Sequence, residues 1–551
     1  MILPDQQNSQ MFPTLGASQI ERLSSYGTRR HAGVGEILFD QGDVGLGSAI
    51  VISGRVEIVS PTCAGETLIT THGPGELTGE VSILAGRRSL VRGRVTEPSE
   101  LLEISRANLL RIIQTDPEFS EIFLRAFILR RVALIAKSPG DALIVGSSHS
   151  GDTLRLRAFL TRNGHPHMYL DVEKDSGIQE LFDHFQVRLD EIPILICRGS
   201  KVLRNPTNAE AAVCLGFNSE IDDALVYDMI VVGAGPAGLA SAVYGASEGL
   251  NVLVLESNAP GGQAGSSSLI ENYLGFPTGI SGQELSGRAF VQSQKFGAHV
   301  AIARTATRLN CAVHPFSLDL DDGGSVRGRT VVVASGAEYR KLPLDNLRQF
   351  EGNGVYYGAT YVESKLCAGD DVVVVGGGNS AGQAAIFLSA HAKHVHLLVR
   401  GPALAETMSR YLISRIEESP QITLRTCTEI EALEGNGSLE RICWRNTRTG
   451  ATETHDIRHL FTMAGACPNT AWLEGCIALD DKGFIRSGAE LTPEHLRNAQ
   501  WPLRRSPYLF ETSKPKVFAV GDVRCASVKR VASAVGEGSV AVQLVHKVLA
   551  E

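Results

Sequence analysis

The chain has 551 residues, of which 43% are hydrophobic and 20% are charged. This length exceeds what one hydrophobic core can organise, so we expect several domains. The formal net charge of -8 argues against a nucleic-acid partner, because an acidic surface repels the phosphate backbone.

No segment predicts membrane insertion or export. The apolar stretch 227–240 is broken by glycine, proline and aspartate, and the first ten residues lack the basic start and apolar core of a secretory signal. The ten cysteines form no Cys-x-x-Cys pair. They predict scattered buried thiols, with no disulfide framework and no metal site. We therefore expect a soluble, cytoplasmic protein.

Three segments differ in their pattern. Residues 11–136 show short alternating strands punctuated by glycine, followed by a long helical run. Residues 141–217 alternate strand and helix on a small scale, and long βαβ units dominate from residue 227 onwards. Linkers are predicted at 138–140 and 218–226.

A dinucleotide-binding fingerprint follows the first strand of the βαβ region. The strand leads into Gly233-x-Gly235-x-x-Gly238, a helix follows, and the next strand ends in Glu256. The glycines let the backbone approach a pyrophosphate at the helix N-terminus. Glu256 is placed to accept hydrogen bonds from the ribose hydroxyls.

A second fingerprint reads Gly376-x-Gly378-x-x-Ala381, and its second strand ends in Arg400. An arginine at this position suits the 2′-phosphate of NADPH, whereas the alternative is a solvated charge at a strand end. Two fingerprints predict two dinucleotides, and FAD with NAD(P)H is the commonest pairing.

Residues 227–551 resemble the thioredoxin reductase family of flavoproteins. The resemblance is carried by PGGQ at 260–263, ENYLGFP at 271–277, GACPNT at 465–470 and ETSKPKVFAVGDVR at 511–524. It implies a homodimer with an FAD domain of residues 227–345 and 465–551 and an inserted NAD(P)H domain of residues 346–464. It also implies flavin-site roles for Gly262, Gln263, Asn272, Gly336, Gly521 and Asp522.

The sequence departs from that family at the redox dithiol. Members with disulfide activity carry Cys-Ala-Thr-Cys where this chain has Gly358 and Tyr361 on either side of Ala-Thr. Glycine and tyrosine cannot exchange a disulfide, and Cys367 has no resolving partner nearby in sequence. We therefore expect hydride to pass from NADPH to FAD and then to a small-molecule or protein acceptor. Oxygen, a quinone, a protein disulfide carrier and an iron–sulfur protein all stay open.

Residues 31–95, within the predicted β-roll of 11–136, resemble a cyclic nucleotide-binding domain. The resemblance implies that Gly79 and Glu80 bind a ribose and that Arg88 and Ser89 bind the cyclic phosphate. The loop between them is one residue shorter than in common family forms. Two interpretations stay open, a cyclic nucleotide site and a degenerate roll kept for protein interaction.

Residues 141–217 resemble a thioredoxin or glutaredoxin fold, in which Pro193 is a candidate for a cis peptide bond. Residues 147–150 read Ser-Ser-His-Ser where that fold keeps Cys-x-x-Cys. Serine cannot cycle as a thiol, so we expect a docking platform or a spacer and no redox carrier.

Together these patterns predict a multidomain α/β protein: an N-terminal β-roll, a thioredoxin-like α/β module and two Rossmann-like domains for FAD and NAD(P)H. Two functions compete at this point. One is an NADPH-dependent FAD oxidoreductase gated by a cyclic nucleotide, and the intact fingerprints favour it. The other is a ligand or redox sensor or scaffold with residual nucleotide binding, which the loss of both dithiol positions favours.

Overall fold

The computed structural model describes residues 9–62, 65–79, 82–137, 142–175, 182, 186–188, 191–197, 201–218, 221–222, 224–404 and 408–551. No helix in these ranges is both long enough and apolar enough to cross a bilayer.

The N-terminal segment forms an antiparallel roll flanked by helices. Its sheet has the order β1-β5-β3-β4, with β2 paired to β5. Three phenylalanines spaced four residues apart lie on one face of the long helix that follows, and they are buried against the roll. The strands are β1 (Thr28–Ala32), β2 (Ile37–Phe39), β3 (Ser48–Thr62), β4 (Gly65–His72) and β5 (Arg92–Ile104), and the helices are α1 (Ala17–Ser24), α2 (Ser82–Ala85), α3 (Arg106–Thr115) and α4 (Pro117–Lys137).

The next segment is a small mixed sheet with two helices. Its elements are β6 (Ala142–Gly146), α5 (Gly151–Arg162), β7 (His167–Asp171), β8 (Ile194–Cys197), β9 (Lys201–Arg204) and α6 (Asn208–Leu215). The strand order is β7-β6-β8-β9, with only the β6–β7 pair parallel. The peptide bond before Pro193 is cis, which confirms that prediction. The helix expected at 177–185 lies mostly outside the described residues, and the assignment to the thioredoxin fold stays a prediction.

The C-terminal part is built from two large sheets, the first mixed and the second parallel throughout, with helices between their parallel strands, as the βαβ pattern predicts. Its strands are β10 (Val226–Val232), β11 (Val252–Glu256), β12 (His299–Ile302), β13 (Ala306–Asn310), β14 (Phe316–Leu320), β15 (Ser325–Val333), β16 (Ala337–Tyr339), β17 (Val355–Tyr356), β18 (Asp371–Val375), β19 (His394–Val399), β20 (Ile422–Thr426), β21 (Thr428–Glu434), β22 (Arg441–Asn446), β23 (Thr452–His455), β24 (His459–Thr462), β25 (Ala466–Pro468) and β26 (Val517–Ala519). Its helices are α7 (Pro236–Ser247), α8 (Gly282–Lys295), α9 (Tyr361–Leu366), α10 (Asn379–Ser389), α11 (Arg410–Glu418), α12 (Pro493–Asn498) and α13 (Val531–Ala550).

Both fingerprints start from inner strands of these sheets. The first sheet has the order β12-β11-β10-β15-β14-β13, with β26 parallel to β15. The second has the order β17-β24-β18-β19-β20 and is parallel throughout. A small antiparallel sheet, β21-β22-β23, accompanies the second. The antiparallel pair β16–β25 joins the two units. The first fingerprint follows β10 and the second follows β18, so each lies at the carboxyl edge of its sheet, where such folds bind nucleotides.

The small mixed sheet shares a hydrophobic core with the first of these units. Leu156 and Phe159 of α5 belong to the same buried cluster as Met229 and Val231 of β10. The segment 142–217 therefore packs directly on the unit that carries the first fingerprint.

The cysteines differ from the expectation that all of them are free, buried thiols. Cys311 and Cys476 form a disulfide, with their Cα atoms 5.9 Å apart. Of the other described cysteines, Cys467 is exposed, whereas Cys367 is fully buried. The pair is 165 residues apart in sequence, so spacing alone did not predict it.

Candidate active site

The first fingerprint closes tightly on itself. Gly233 has a φ of 104°, and a Cβ there would collide with the carbonyl of Ala334. A Cβ at Gly238 would collide with the carbonyl of Gly233. Gly235 caps the N-terminus of α7, where the first N–H groups of the helix have no partner within the helix. Gly233 and Gly238 therefore need glycine, and with Gly235 they form the expected anion-binding turn.

Glu256 ends β11, as predicted, and its carboxylate holds the fingerprint loop. One oxygen accepts the Ala234 N–H at 2.7 Å, and the other accepts those of Asn258 at 2.8 Å and Ala259 at 3.1 Å. Burial raises the pKa of Glu256, and the three backbone donors oppose that rise. A carboxylate offers about four acceptor positions, so capacity for a ribose hydroxyl is left.

The residues expected around the flavin come from three separate loops. Gly262 has a φ of 53° and lies against Gly235, and the Gln263 side chain donates a hydrogen bond to the Ala337 carbonyl. Gly336 also has a left-handed φ, of 67°, with open space where a Cβ would point. These three positions border the same loop junction.

The third loop precedes α13. The Gly521 N–H donates to Glu537 at 2.7 Å, and the backbone carbonyl of Asp522 accepts a hydrogen bond from Lys529 at 2.5 Å. Burial raises the pKa of Asp522, and the positive charge of Lys529 opposes the rise. Asn272 differs from the others, because it is exposed and does not line the cleft described below.

The second fingerprint repeats the first in outline. Gly376 has a φ of 148°, and a Cβ there would lie 2.8 Å from the Met463 carbonyl. Gly378 caps the N-terminus of α10, and Ala381 is fully buried in its first turn. Arg400 directly follows β19 and is exposed, with no ion pair to any described residue. It lies at the carboxyl edge of the second sheet.

A narrow cleft brings the two units face to face. One wall is the loop from Gln263 to Ser268, and the other is the first turn of α10. Tyr339 of the β16–β25 link lies between them, near Ser380 and Asp522. The remaining lining residues are Tyr357, Gly358, Ala359, Gln383, Ala384 and Met463.

These features fit two bound dinucleotides. Each fingerprint has a helix N-terminus capped by a glycine and without a side-chain cap, a left-handed glycine that no other residue replaces without strain, and a charged residue at the end of its second strand. The charged residues differ in sign, Glu256 in the first unit and Arg400 in the second. The first site suits unphosphorylated ribose hydroxyls and the second suits a ribose phosphate.

Comparison with known proteins decides the family. The family model described as pyridine nucleotide-disulphide oxidoreductase matches residues 227–538, more than half of the chain. The chain belongs to this oxidoreductase family. A second model, the cyclic nucleotide-binding domain, matches residues 29–116. The oxidoreductase is thus preceded by a cyclic nucleotide-binding domain, as expected from the sequence.

The relatives of this oxidoreductase include thioredoxin reductases. It is 32% identical to thioredoxin reductase of Mycoplasma genitalium over 321 residues, which cover 58% of this chain and 94% of that protein. It is 30% identical to NADPH-dependent thioredoxin reductase 3 of Arabidopsis thaliana over 62% of this chain and 64% of the relative. The thioredoxin reductase of Lactococcus lactis in its FR conformation superposes with a TM-score of 0.53 at 25% identity, covering 59% of this chain and 99% of that one. The chain is therefore a thioredoxin reductase-like flavoprotein oxidoreductase of the NAD(P)H-dependent type.

The two positions at which disulfide-reducing members of the family carry cysteines lie beside the cleft of this oxidoreductase. Gly358 lines the cleft, and Tyr361 begins α9 two residues after Ala359, which also lines it. Cys367 is buried, and burial raises the pKa of its thiol to about 11. This thiol is protonated at neutral pH and therefore a poor nucleophile.

The residues predicted for the cyclic nucleotide lie at the base of the roll. Gly79 has a φ of 112° and precedes α2, while Glu80 lies outside the described residues. Ser89 donates a hydrogen bond to the Val91 carbonyl at 2.8 Å. Arg88 donates to the carbonyl of Cys214, at the end of α6, at 3.3 Å. The structure thus places this arginine in contact with segment 142–217.

Several cleft residues were not predicted from the sequence. Met463 follows β24, and Gln383 lies on the exposed side of the fingerprint helix, so neither stands within a recognisable motif. Tyr339 had no role predicted from the sequence. Its neighbours become clear only when β16 pairs with β25.

Proposed function

We propose that this oxidoreductase transfers reducing equivalents from NADPH to FAD and then to an external acceptor, without a dithiol of its own. The cleft carries the proposal. It joins the loop of residues 260–268, called the flavin loop below, to the first turn of α10, and Gly358 lies in its wall. FAD bound there supplies the chemistry of accepting a hydride and passing electrons on. The protein supplies position: two fingerprints hold two dinucleotides with their reactive ends in one cleft.

The acceptor must reach the cleft from outside the chain. A disulfide relay needs two thiols at the flavin; the sequence contains no Cys-x-x-Cys pair, and neither Cys311 nor Cys476 is among the residues that line the cleft. Gly358 has open space where a side chain would point, its nearest neighbour there being the Thr360 methyl at 4.0 Å. This gap beside the flavin loop is where we place the entry of the acceptor.

The test is anaerobic titration of the purified protein with NADPH and with NADH, followed by flavin absorbance. The proposal expects stoichiometric bleaching by NADPH and slower bleaching by NADH. A protein that binds FAD but is not reduced would instead be a sensor or scaffold with residual nucleotide binding. Thioredoxin serves as a control acceptor and should not be reduced at a rate above background.

We also propose that a cyclic nucleotide gates this activity through contacts between the domains. The guanidinium of Arg87 lies over the rings of Phe217 and Phe290, at 5.4 and 5.0 Å, and so joins the roll to segment 142–217 and to α8. Helix α8 packs on the flavin loop, where Ser286 fills the space beside Gly261. A ligand that moves residues 86–89 therefore has a packed route to the flavin.

Arg88 is the residue on which gating depends. Its contact with the Cys214 carbonyl competes with a cyclic phosphate for the same guanidinium. The same titration with cyclic AMP or cyclic GMP should change the rate of flavin reduction, and R88Q should remove that change. R55Q is the matched control, because Arg55 pairs with Glu97 on the exposed surface of the roll. An identical rate with and without either nucleotide would leave the roll as an interaction domain.

A further inference from the structure

Helix α5 spans the two dinucleotide-binding units from outside. At its N-terminal end, Gly151 touches Gly352 at the start of the second unit, and Leu154 packs against the core of that unit. At its C-terminal end, Arg162 donates a hydrogen bond to the Gly262 carbonyl at 2.8 Å. Segment 142–217 is therefore no detached spacer, because one of its helices reaches the flavin loop.

The position of Arg162 relative to the first fingerprint is specific. Gly262, which accepts its hydrogen bond, lies against Gly235 at the N-terminal cap of α7. The guanidinium also interacts electrostatically with the buried carboxylate of Glu256. Arg162 thus lies between the turn that suits a pyrophosphate and the acid that suits a ribose.

Arg162 is held in this position with one hydrogen-bond donor unused. Its Nε is buried and has no partner among the described residues. Burial lowers the pKa of the guanidinium, while Glu256 and Glu363 oppose that shift. A buried guanidinium with an unused donor is costly unless a ligand completes it, and arginine binds phosphate groups through charge-assisted hydrogen bonds.

A separate cavity borders the residue that follows Glu256. It has a volume of about 450 Å³ and lies between segment 142–217 and the first dinucleotide-binding unit. The first unit contributes Ser257, Ala303 and Asp321. Ser257 and Ala303 follow neighbouring parallel strands paired at Glu256 and Ile302. The facing wall comes from segment 142–217 as Asp152, Arg155, Asn205, Thr207, Asn208 and Ala209.

The facing wall is itself rigidly connected. Arg155 bonds Asn208 at 2.8 Å and the Pro206 carbonyl at 2.9 Å. Asn163 donates to the Asn258 carbonyl at 3.1 Å, which fixes the wall to the loop that follows Glu256. The cavity is therefore a formed site with polar groups on both sides, at the edge where parallel sheets bind nucleotides.

We infer that segment 142–217 is a structural part of the first dinucleotide site: Arg162 binds the pyrophosphate, and the loops around Arg155 and Asn208 enclose the adenosine. This inference rests on the proposed binding of FAD at that site. It assigns a role to a segment that carries no Cys-x-x-Cys pair. The segment keeps the flavin cofactor in place and transfers no electrons.

The test measures cofactor binding and not turnover. Apoprotein of the full chain is titrated with FAD, and the quenching of flavin fluorescence gives the Kd for wild type, R162Q and R162K. We expect R162Q to raise the Kd about 10- to 100-fold, because it removes a charge-assisted hydrogen bond, and R162K to fall between. The matched control is Q283A, which removes the neighbouring hydrogen bond from Gln283 to the Thr161 carbonyl at 2.9 Å and leaves the charge in place. Its Kd should stay within about twofold of wild type.

The outcomes separate this inference from the proposed function. If wild-type apoprotein binds no FAD, the proposed function fails first. If wild type binds FAD and R162Q binds it equally well, the inference is wrong. Tighter binding by R162Q would also contradict the inference, because Arg162 would then obstruct the site. If R162Q fails to fold, two other measurements test the inference: the Kd of R162K for FAD and the salt dependence of the wild-type Kd. An unchanged Kd for R162K together with no weakening at high salt rejects a pyrophosphate contact.

Discussion

Arg415 and Glu271 form a two-pronged ion pair between the two dinucleotide-binding units. The guanidinium nitrogens lie 2.5 and 3.0 Å from the two carboxylate oxygens. Arg415 lies on α11 of the second unit, and Glu271 lies in the loop after the flavin loop of the first. Apart from the β16–β25 link, this pair is a direct polar contact that holds the cleft in its observed arrangement.

Breaking this pair should slow the reduction of the flavin. With Arg415 48% and Glu271 24% exposed, the pair contributes at most about 1 kcal/mol, so E271Q or R415Q should lower the rate at saturating NADPH about two- to fivefold. Stopped-flow absorbance measures it. R288Q is the matched control, because Arg288 pairs with Glu284 within a single helix and away from the cleft. Equal rates for all variants would show that the pair does not influence the arrangement of the units.

The nicotinamide site should be separable from the flavin site. In G376A, the new Cβ lies 2.8 Å from the Met463 carbonyl at a left-handed φ, so the second fingerprint cannot close. We expect the protein to keep its flavin spectrum while the rate of reduction by NADPH falls about 10-fold or more. G369A is the control, since Gly369 also has a left-handed φ, of 81°, but open space around it. Loss of FAD from G376A would contradict the independence of the two sites.

Local sequence patterns predicted much of this architecture. Features that depend on contacts between residues distant in sequence were not predicted. The strands before Gly233 and Gly376, and the charges at Glu256 and Arg400, stand at the predicted places because each belongs to one continuous βαβ unit. The disulfide between Cys311 and Cys476 was missed, because tertiary structure alone brings these residues together.

The segment 142–217 shows the same limit for function. Its strands, most of its helices and its cis proline could be predicted, yet nothing near Arg162 in the sequence indicates a nucleotide. The contact with Gly262 depends on tertiary packing that brings α5 to a loop 100 residues further along the chain. Position in the fold, and not a local motif, gives this arginine its surroundings.

Thiol reactivity should distinguish the two kinds of cysteine. Cys367 is buried with a pKa raised to about 11, whereas Cys467 on β25 is exposed. In the native protein, a maleimide should label Cys467 and leave Cys367 unmodified, as mass spectrometry of peptides can show. C367S should retain NADPH-dependent flavin reduction at the wild-type rate. Rapid labelling of Cys367, or loss of electron transfer to the acceptor in C367S, would show that the Cys367 thiol takes part in the mechanism.

Coenzyme preference should depend on Arg400. Removing the guanidinium in R400Q deprives a 2′-phosphate of its counter-charge but leaves the ribose hydroxyls of NADH unaffected. The KM for NADPH should rise about 10-fold or more, with little change in the KM for NADH. R410Q controls for a general loss of positive charge, because Arg410 is also exposed and faces Glu417 at 3.8 Å. A parallel rise for both coenzymes would contradict a phosphate contact.

The second unit should lose stability in acid because of His396. This histidine lies on β19 beside the Trp444 ring. Burial lowers its pKa from 6.5 to about 4. The charges of His394, Arg425 and His455 lower the pKa further, and Asp371 opposes the shift. Since the folded state binds the proton less tightly than the unfolded state, the stabilisation is complete above pH 6.5 and is lost as the pH falls towards 4. H396F keeps an aromatic ring against Trp444 and removes the titration, so its unfolding free energy should fall less steeply over that window. H391F, which replaces an exposed histidine of the same unit, should keep the wild-type dependence in urea unfolding. Equal slopes for wild type and H396F would show that His396 does not control the acid sensitivity.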